Sequence, residues 1–472
     1  MKKENELEPN TKLCENLIST SNLDIAIENV ITNKGSAGID GMGVNEVHEY
    51  FMVNIEEMRR KILTRKYKPS PARRVTIPKD NGKKRLLGIP TVIDRVIQQA
   101  IVQVLTPVFE PTFSNFSYGF RPGRSAEDAI RQAQIYIADG YKYVVDIDLS
   151  KYFDTINHDK LMSMIDKTMP DKDIRRLIFD YLESGVMIDN KVIRSKEGTM
   201  QGGPLSPLLA NIYLTPFDKK LESKQIRFTR FADDTKIFVK SLMAAERVKN
   251  NAIKFLENKL KLTVNNDKTY VGLAKASSYL GVTFKSNGYL KKWKLGCCVP
   301  KEKAKEKLKT KVKEITKRNR GVSLWKVINE LNSSITGWIA YFARTKMNKW
   351  LTVEFEPWVR RRVRQYAYKI WKTKSNRKKQ LRKLKVEEYK IQRLQGLSSR
   401  SYWKMSKAMG FVLTNKIMQN EMKLKDFKQH YLELHNKRMA KDRDELHYLY
   451  EVKEHEKEEY WRLYKYDCCG YY

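Results

Sequence analysis

Four aspartates in the first half of the chain are spaced so that they could hold metal ions and move a phosphoryl group. Asp146 and Asp148 alternate with apolar residues over 141–149, so they share one strand face with Val144 while Val145, Ile147 and Leu149 line the other. Asp233 and Asp234 sit in the turn between two short apolar arms, 228–231 and 236–239. Taken singly, an Asp pair in a turn reads as a solvated hairpin tip, and a strand-end Asp as a helix cap or an ion-pair partner. Taken together they ask for more, because converging carboxylates repel one another unless cations lie between them. All-oxygen ligands suit Mg²⁺, which keeps part of its shell for substrate phosphates. Two such ions about 4 Å apart can activate a 3′-hydroxyl and stabilise a leaving pyrophosphate.

The elements that must position these carboxylates are legible from pattern. Residues 72–78 and 84–88 read as paired strands around an Asp80-Asn81-Gly82 turn, a strong hairpin signal. Helices are expected over 94–109, 125–138, from near His158, and over the apolar 207–214, with an amphipathic one along Val248, Ala252, Leu256 and Leu260. Short strands are expected at 263–264 and 279–284. Residues 1 to 65 read as helical with a Gly-rich turn at 34–41, and nearly everything past 300 reads as helical.

Composition supplies the partner. The 472 residues carry 92 Lys and Arg against 55 Asp and Glu, a net charge of +37. Residues 301–400 alone hold 30 basic and 8 acidic side chains. A field of this kind attracts a polyanion, nucleic acid first. The opening MKKENELEPN has no apolar signal region, and Pro breaks the longest uncharged stretches, so neither a secretory leader nor a membrane partner is expected. Cys14, Cys297, Cys298, Cys468 and Cys469 make no disulfide framework. The expected setting is the bacterial cytoplasm.

Ordered motifs then sharpen the reading. Residues 144–158 (VVDIDLSKYFDTINH), 198–212 (GTMQGGPLSPLLANI) and 230–234 (RFADD) resemble the catalytic, template-and-nucleotide and Asp-pair motifs of group II intron-encoded reverse transcriptases. Further matches at 34–41, 67–90, 117–122, 265–268 and Leu280-Gly281 fall in the same order, and together they cover roughly residues 20 to 290. The family resemblance implies an α+β right-hand polymerase: fingers and palm with a ferredoxin-like sheet, then a helical thumb and helical C-terminal region. It implies a domain plan of an N-terminal helical extension (1–66), a reverse transcriptase domain (67–291), a thumb or maturase X domain (300–375), a DNA-binding helical region (376–435) and a charged extension (436–472).

The resemblance also assigns roles. Asp148, Asp233 and Asp234, with Leu149 beside them, would hold two Mg²⁺ ions, Mn²⁺ being the substitute, and Asp146 would support them from behind. Lys79 and Arg85 would clamp the incoming triphosphate through charge-assisted hydrogen bonds. Phe153, five residues past Asp148, would be the steric gate whose ring clashes with a ribose 2′-hydroxyl. Gln201 and Lys268 would contact the nucleotide, while Gly202, Gly203, Leu280 and Gly281 would face template and primer. Beside these stand plainer readings: a solvated basic hairpin, a core Phe, a turn before a helix and a surface ion pair.

In the second half, residues 335–342 (ITGWIAYF) resemble the family's maturase signature. Arg360, Arg361, Arg362 and Arg364 look too dense to bury and are expected to face phosphates, with binding that weakens steeply in salt. The implied partners are a structured RNA, an RNA template with a DNA or RNA primer, and target DNA. No His/Cys pattern supports a zinc endonuclease. The tail past 436 offers a surface for a second copy of the chain, or a tyrosine hydroxyl for priming; a terminal packing helix is the plainer reading. Two other functions fit the same chain: a domesticated relative serving antiviral defence or DNA repair with a noncoding RNA, and a non-enzymatic RNA-binding splicing factor.

Overall fold

The computed structural model describes residues 11–78, 82, 84–169, 171–189, 191–285, 297–395 and 401–451. The chain divides into two compact units, 1–274 and 275–472.

The first unit opens with helices α1 (Thr11–Ile18), α2 (Thr20–Thr32) and α3 (Val47–Leu63). The expected hairpin follows as β1 (Ala72–Pro78) and β2 (Lys84–Ile89), paired antiparallel from Arg73↔Ile89 to Pro78↔Lys84. Then come α4 (Val92–Phe109), α5 (Ala126–Ala138), β3 (Tyr143–Ile147), α6 (His158–Thr168), α7 (Lys172–Glu183), β4 (Val186–Ile188) and β5 (Lys191–Ile193). The unit closes with α8 (Ser206–Ser223), β6 (Arg227–Phe231), β7 (Asp234–Val239), α9 (Leu242–Asn258) and β8 (Tyr270–Leu273). Helix α4 is long and apolar enough to cross a membrane by composition, yet it packs along α2 and carries buried Asp94 and Arg95.

Two four-stranded sheets result, ordered β2-β1-β4-β5 and β6-β7-β3-β8. The second is antiparallel throughout, with β3 paired to β7 and β8, and β6 to β7. Its path is strand, helices, two strands, helix, strand, so chain-distant β3 lies between β7 and β8. Val145, Ile147, Phe228, Ile237 and Val239 enter one continuous core with Leu161, Leu209, Tyr213, Leu256 and Val264. On the opposite face Tyr136 of α5 packs on Phe238, ring centroids 5.4 Å apart, and covers one end of the sheet. Asp146 is left half-buried farther along that face.

The second unit begins with a three-stranded sheet, ordered β11-β10-β9, from β9 (Ser278–Tyr279), β10 (Val282–Lys285) and β11 (Cys297–Pro300). Leu280 and Gly281 turn from β9 into β10 and so belong to this unit. It continues as helices: α10 (Glu302–Ile315), α11 (Leu324–Phe342), a π-helical turn at Trp350–Phe355, α12 (Glu356–Ile370), α13 (Lys374–Lys383), α14 (Glu388–Gln395), α15 (Tyr402–Val412), α16 (Asn415–Asn420) and α17 (Phe427–Glu451). Cys468, Cys469 and the tyrosine tail lie outside the described residues.

Candidate active site

Sheet pairing brings the aspartates together. β3 and β7 are neighbours in the register Asp146↔Lys236 and Ile147↔Thr235, so Asp148 emerges beside the start of β7, where Asp234 stands. The chain past β3 is pinned by a bridge between Leu149 and Val264, by Ser150 N–H on the Thr263 carbonyl (2.8 Å), and by Asn265 N–H on the Asp148 carbonyl (2.8 Å). The Asp148 carboxylate accepts from Asn265 Nδ2 (2.9 Å) and Lys268 Nζ (3.2 Å), and its own N–H donates to Thr269 Oγ1 (3.2 Å). The expected strand at 263–264 is therefore a single bridge, and its work is to aim Asp148.

The opposite turn is held from behind. Phe231 and Asp234 are register partners, and Ala232 between them adopts φ +57°, a costly region for a residue with a Cβ. Arg230 stabilises it: Nη1 donates to the Ala232 carbonyl (2.9 Å) and to Asn211 Oδ1 (3.0 Å), while Nε meets Asp218 at 2.8 and 3.0 Å. Arg230 and Asp218 are both fully buried, at 0% exposure. Gly119 backs the same turn, since a Cβ there would lie 2.4 Å from Ala232 N.

The electrostatics follow from this crowding. Asp234 is pushed up to about 6 by burial first, with Asp146, Asp233 and Asp148 adding repulsion against the lowering pull of Lys236. Lys236, only 3% exposed, is bonded to Asp146 and lies 3.9 Å from Asp234. Tyr270 is raised by burial and then by Asp146. Because the folded state binds the Asp234 proton more tightly than the unfolded chain, its ionisation costs stability as pH rises from about 4 through 6. Metal-free Asp234→Asn should therefore melt higher than wild type at pH 7.5, and the gap should close by pH 4; thermal melts in chelator check this.

Among the described residues no three ligating side chains are preassembled around one point. The donor set nevertheless fits a hard divalent cation. It is all oxygen, its members feel one another's charge, and two ammonium groups, Lys236 and Lys268, already lean on it.

The remaining candidates are distributed as follows. Phe153 is half-buried against the core, its ring 5.4 Å from that of Tyr152, whose hydroxyl donates to the Ala210 carbonyl. The Gln201 backbone carbonyl accepts from Gly88 N–H of β2 at 2.9 Å. Gly202 has φ +121° and a Cβ there would meet the Gly88 carbonyl at 2.6 Å; one on Gly203 would meet Gln98 Oε1 at 2.4 Å. These glycines are spent on close approach to β2 and α4. Lys79 lies outside the described residues, as does the Arg85 side chain, whose backbone pairs with Ile77.

In the second unit the Leu280 carbonyl accepts from Tyr341 (2.9 Å) and the Gly281 carbonyl from Lys301 N–H (2.9 Å). The four arginines on α12 are half-buried and engaged within the unit. Arg360 pairs with Glu356, and Arg361 stacks 3.6 Å over Trp403. Arg362 donates to the Lys313 and Thr316 carbonyls at the end of α10, and Arg364 to the Leu413 carbonyl after α15. Helix C-termini leave carbonyls without partners, and guanidinium groups satisfy them.

Sequence reasoning gave no role to Arg230, Asp218, Lys236 or His158. A lysine inside the apolar strand 234–239 and an aspartate inside an apolar helix were the available signals, since buried charges come paired.

Comparison with known proteins gives the family. The model of the reverse transcriptase (RNA-dependent DNA polymerase) family matches residues 77–284, and the group II intron maturase-specific domain matches 305–385. Protein YkfC of Escherichia coli (strain K12) is 33% identical over 282 residues, 51% of this chain and 74% of that protein. Group II intron-encoded protein LtrA of Lactococcus lactis subsp. cremoris is 32% identical over 262 residues, 55% of this chain but 42% of LtrA. Among solved structures, a chain of the partial Cas6-RT-Cas1–Cas2 complex is similar at 23% identity and TM-score 0.33, over 53% of this chain and 43% of that one. The chain carries a reverse transcriptase domain followed by a maturase domain. The chain belongs to the family of group II intron-encoded reverse transcriptases and maturases.

Proposed function

We propose that the protein is an RNA-directed DNA polymerase that extends a DNA or RNA primer with deoxynucleotides, and that it also binds a structured intron RNA as a splicing maturase active in retromobility. The observation that carries this reading is the meeting of Asp148 with the 232–234 turn, which leaves Asp234 under the charge of three other carboxylates. In this reading the β6-β7-β3-β8 sheet is a ferredoxin-like palm, the β1–β2 hairpin belongs to the fingers, and the helical second unit contains the thumb.

Asp148, Asp233 and Asp234, with the Leu149 backbone alongside, would hold two Mg²⁺ ions, or Mn²⁺ in their place. When bound, these supply charge for the attacking 3′-oxygen and the leaving pyrophosphate. The chain's own residues do the rest. Lys268, bonded to Asp148 and 64% exposed at its side chain, is free to swing toward a triphosphate. Lys79 and Arg85 would grip the same phosphates from the hairpin. The Gln201-Gly202-Gly203 turn, held against β2 and α4, would lie beside the nascent base pair. The Phe153 ring would lie under the sugar and exclude a 2′-hydroxyl.

The test is extension of a DNA primer on an RNA template. Wild type should favour deoxynucleotides strongly. Phe153→Ala should use ribonucleotides about 10²-fold better relative to wild type, on the order of what a lost close contact changes in specificity. An unchanged preference would remove Phe153 from the gate.

A further inference from the structure

The segment that carries Phe153 is zipped to the loop that carries Gln201, and a side chain fastens the zip. Thr199 N–H donates to the Phe153 carbonyl (2.6 Å) and Gly198 N–H to the Ile156 carbonyl (2.7 Å). Asn157 and Glu197 form an antiparallel bridge. Gly198 has φ +94° and its missing Cβ would lie 3.0 Å from the Asp154 carbonyl, so the two backbones touch where no side chain fits. The fastener is His158, whose Nε2 lies 2.7 Å from the Gly198 carbonyl. That carbonyl can only accept, so Nε2 carries a proton and donates it.

His158 is well placed to transmit rigidity. It is 3% exposed and opens α6, whose Leu161 and Ile165 are fully buried. Asn157 caps that helix by accepting from Lys160 N–H (3.0 Å). A chain of contacts therefore runs from the core through α6 and His158 to Gly198, then through Thr199 to the Phe153 backbone. The same loop continues to Gln201, which is tied to Gly88 of β2. Removal of the imidazole bond would let the 197–201 loop drift, and the Phe153 backbone would drift with it.

We infer that His158 is a positioning residue for sugar selection, fixing the depth at which the Phe153 ring meets the nucleotide. The inference rests on the reverse transcriptase reading. His158 touches no substrate, so a merely structural role would lower use of both sugars together. A selecting role lowers their ratio.

The experiment measures kcat/KM for one deoxynucleotide and its ribonucleotide in wild type, His158→Ala, His158→Asn and His158→Gln, on a primed RNA template. Gln reaches where Nε2 stood, whereas Asn reaches only to the Nδ1 position, which is buried without a partner among the described residues. Asn keeps a polar side chain at the helix start, so it serves if the alanine variant folds poorly. The deoxy-over-ribo ratio should fall about tenfold in the Ala and Asn variants, the scale of one lost hydrogen bond, and return in the Gln variant. Normal extension with an unchanged ratio in Ala and Asn would overturn the role of His158 alone. Failure of wild type to incorporate either sugar would instead overturn the polymerase reading and the sugar role with it.

Discussion

Asp233→Ala is expected to abolish templated DNA synthesis while leaving a folded protein. The loss should reach on the order of 10³-fold or more, the several kcal/mol that charge stabilisation by metal-held groups contributes to a barrier. Folding should survive because the turn around Asp233 is fixed by neighbours. Arg230 holds the Ala232 carbonyl, and Gly119 lies against Ala232 N. Removing one carboxylate from a crowded set also relieves repulsion on Asp234. Primer extension and a thermal melt on the same preparation check both halves. Retained RNA binding alongside lost synthesis would separate a polymerase from a protein that only binds RNA; equal synthesis by the variant would remove Asp233 from the metal site.

The second large effect lies behind the site. Asp218→Asn should destabilise the first unit by about 3–5 kcal/mol, because it leaves the Arg230 guanidinium buried without its counter-charge. Against a total stability of roughly 5–15 kcal/mol, that is enough to lower the melting temperature sharply or to leave little native protein. Denaturant melts of the two proteins measure it. The same change should cost synthesis more than surface substitutions do, since Arg230 fixes the turn that carries Asp233. A variant with wild-type stability would show that the pair is not what holds the hairpin.

Local pattern made much of this fold legible. The Asn-Gly hairpin, the alternation along β3 and the four-residue spacing of α9 each follow from side-chain periodicity, and the strands and helices formed where that periodicity ran. Asp148 and the 233–234 turn could be matched from sequence because each closes an apolar run, leaving a carboxylate where the strand stops. Pairings between distant segments were not legible. Lys236 meets Asp146 only because β7 lies beside β3 in one register, and Arg230 meets Asp218 across the angle between a strand and a helix. His158 lies at a helix start, yet its partner is 40 residues away. Charge density is a coarser guide. Arg362 and Arg364, expected to face a polyanion, also donate to the carbonyls at two helix ends. A count of like charges carries no information on which backbone groups lack partners.

The most direct measurement uses the unaltered protein, a 5′-labelled DNA primer annealed to an RNA template, the four deoxynucleotides and Mg²⁺. Stepwise extension to the template end, stopped by chelator and restored by added Mg²⁺, is the predicted result. A folded, RNA-binding preparation that adds no nucleotide with either Mg²⁺ or Mn²⁺ would contradict the account.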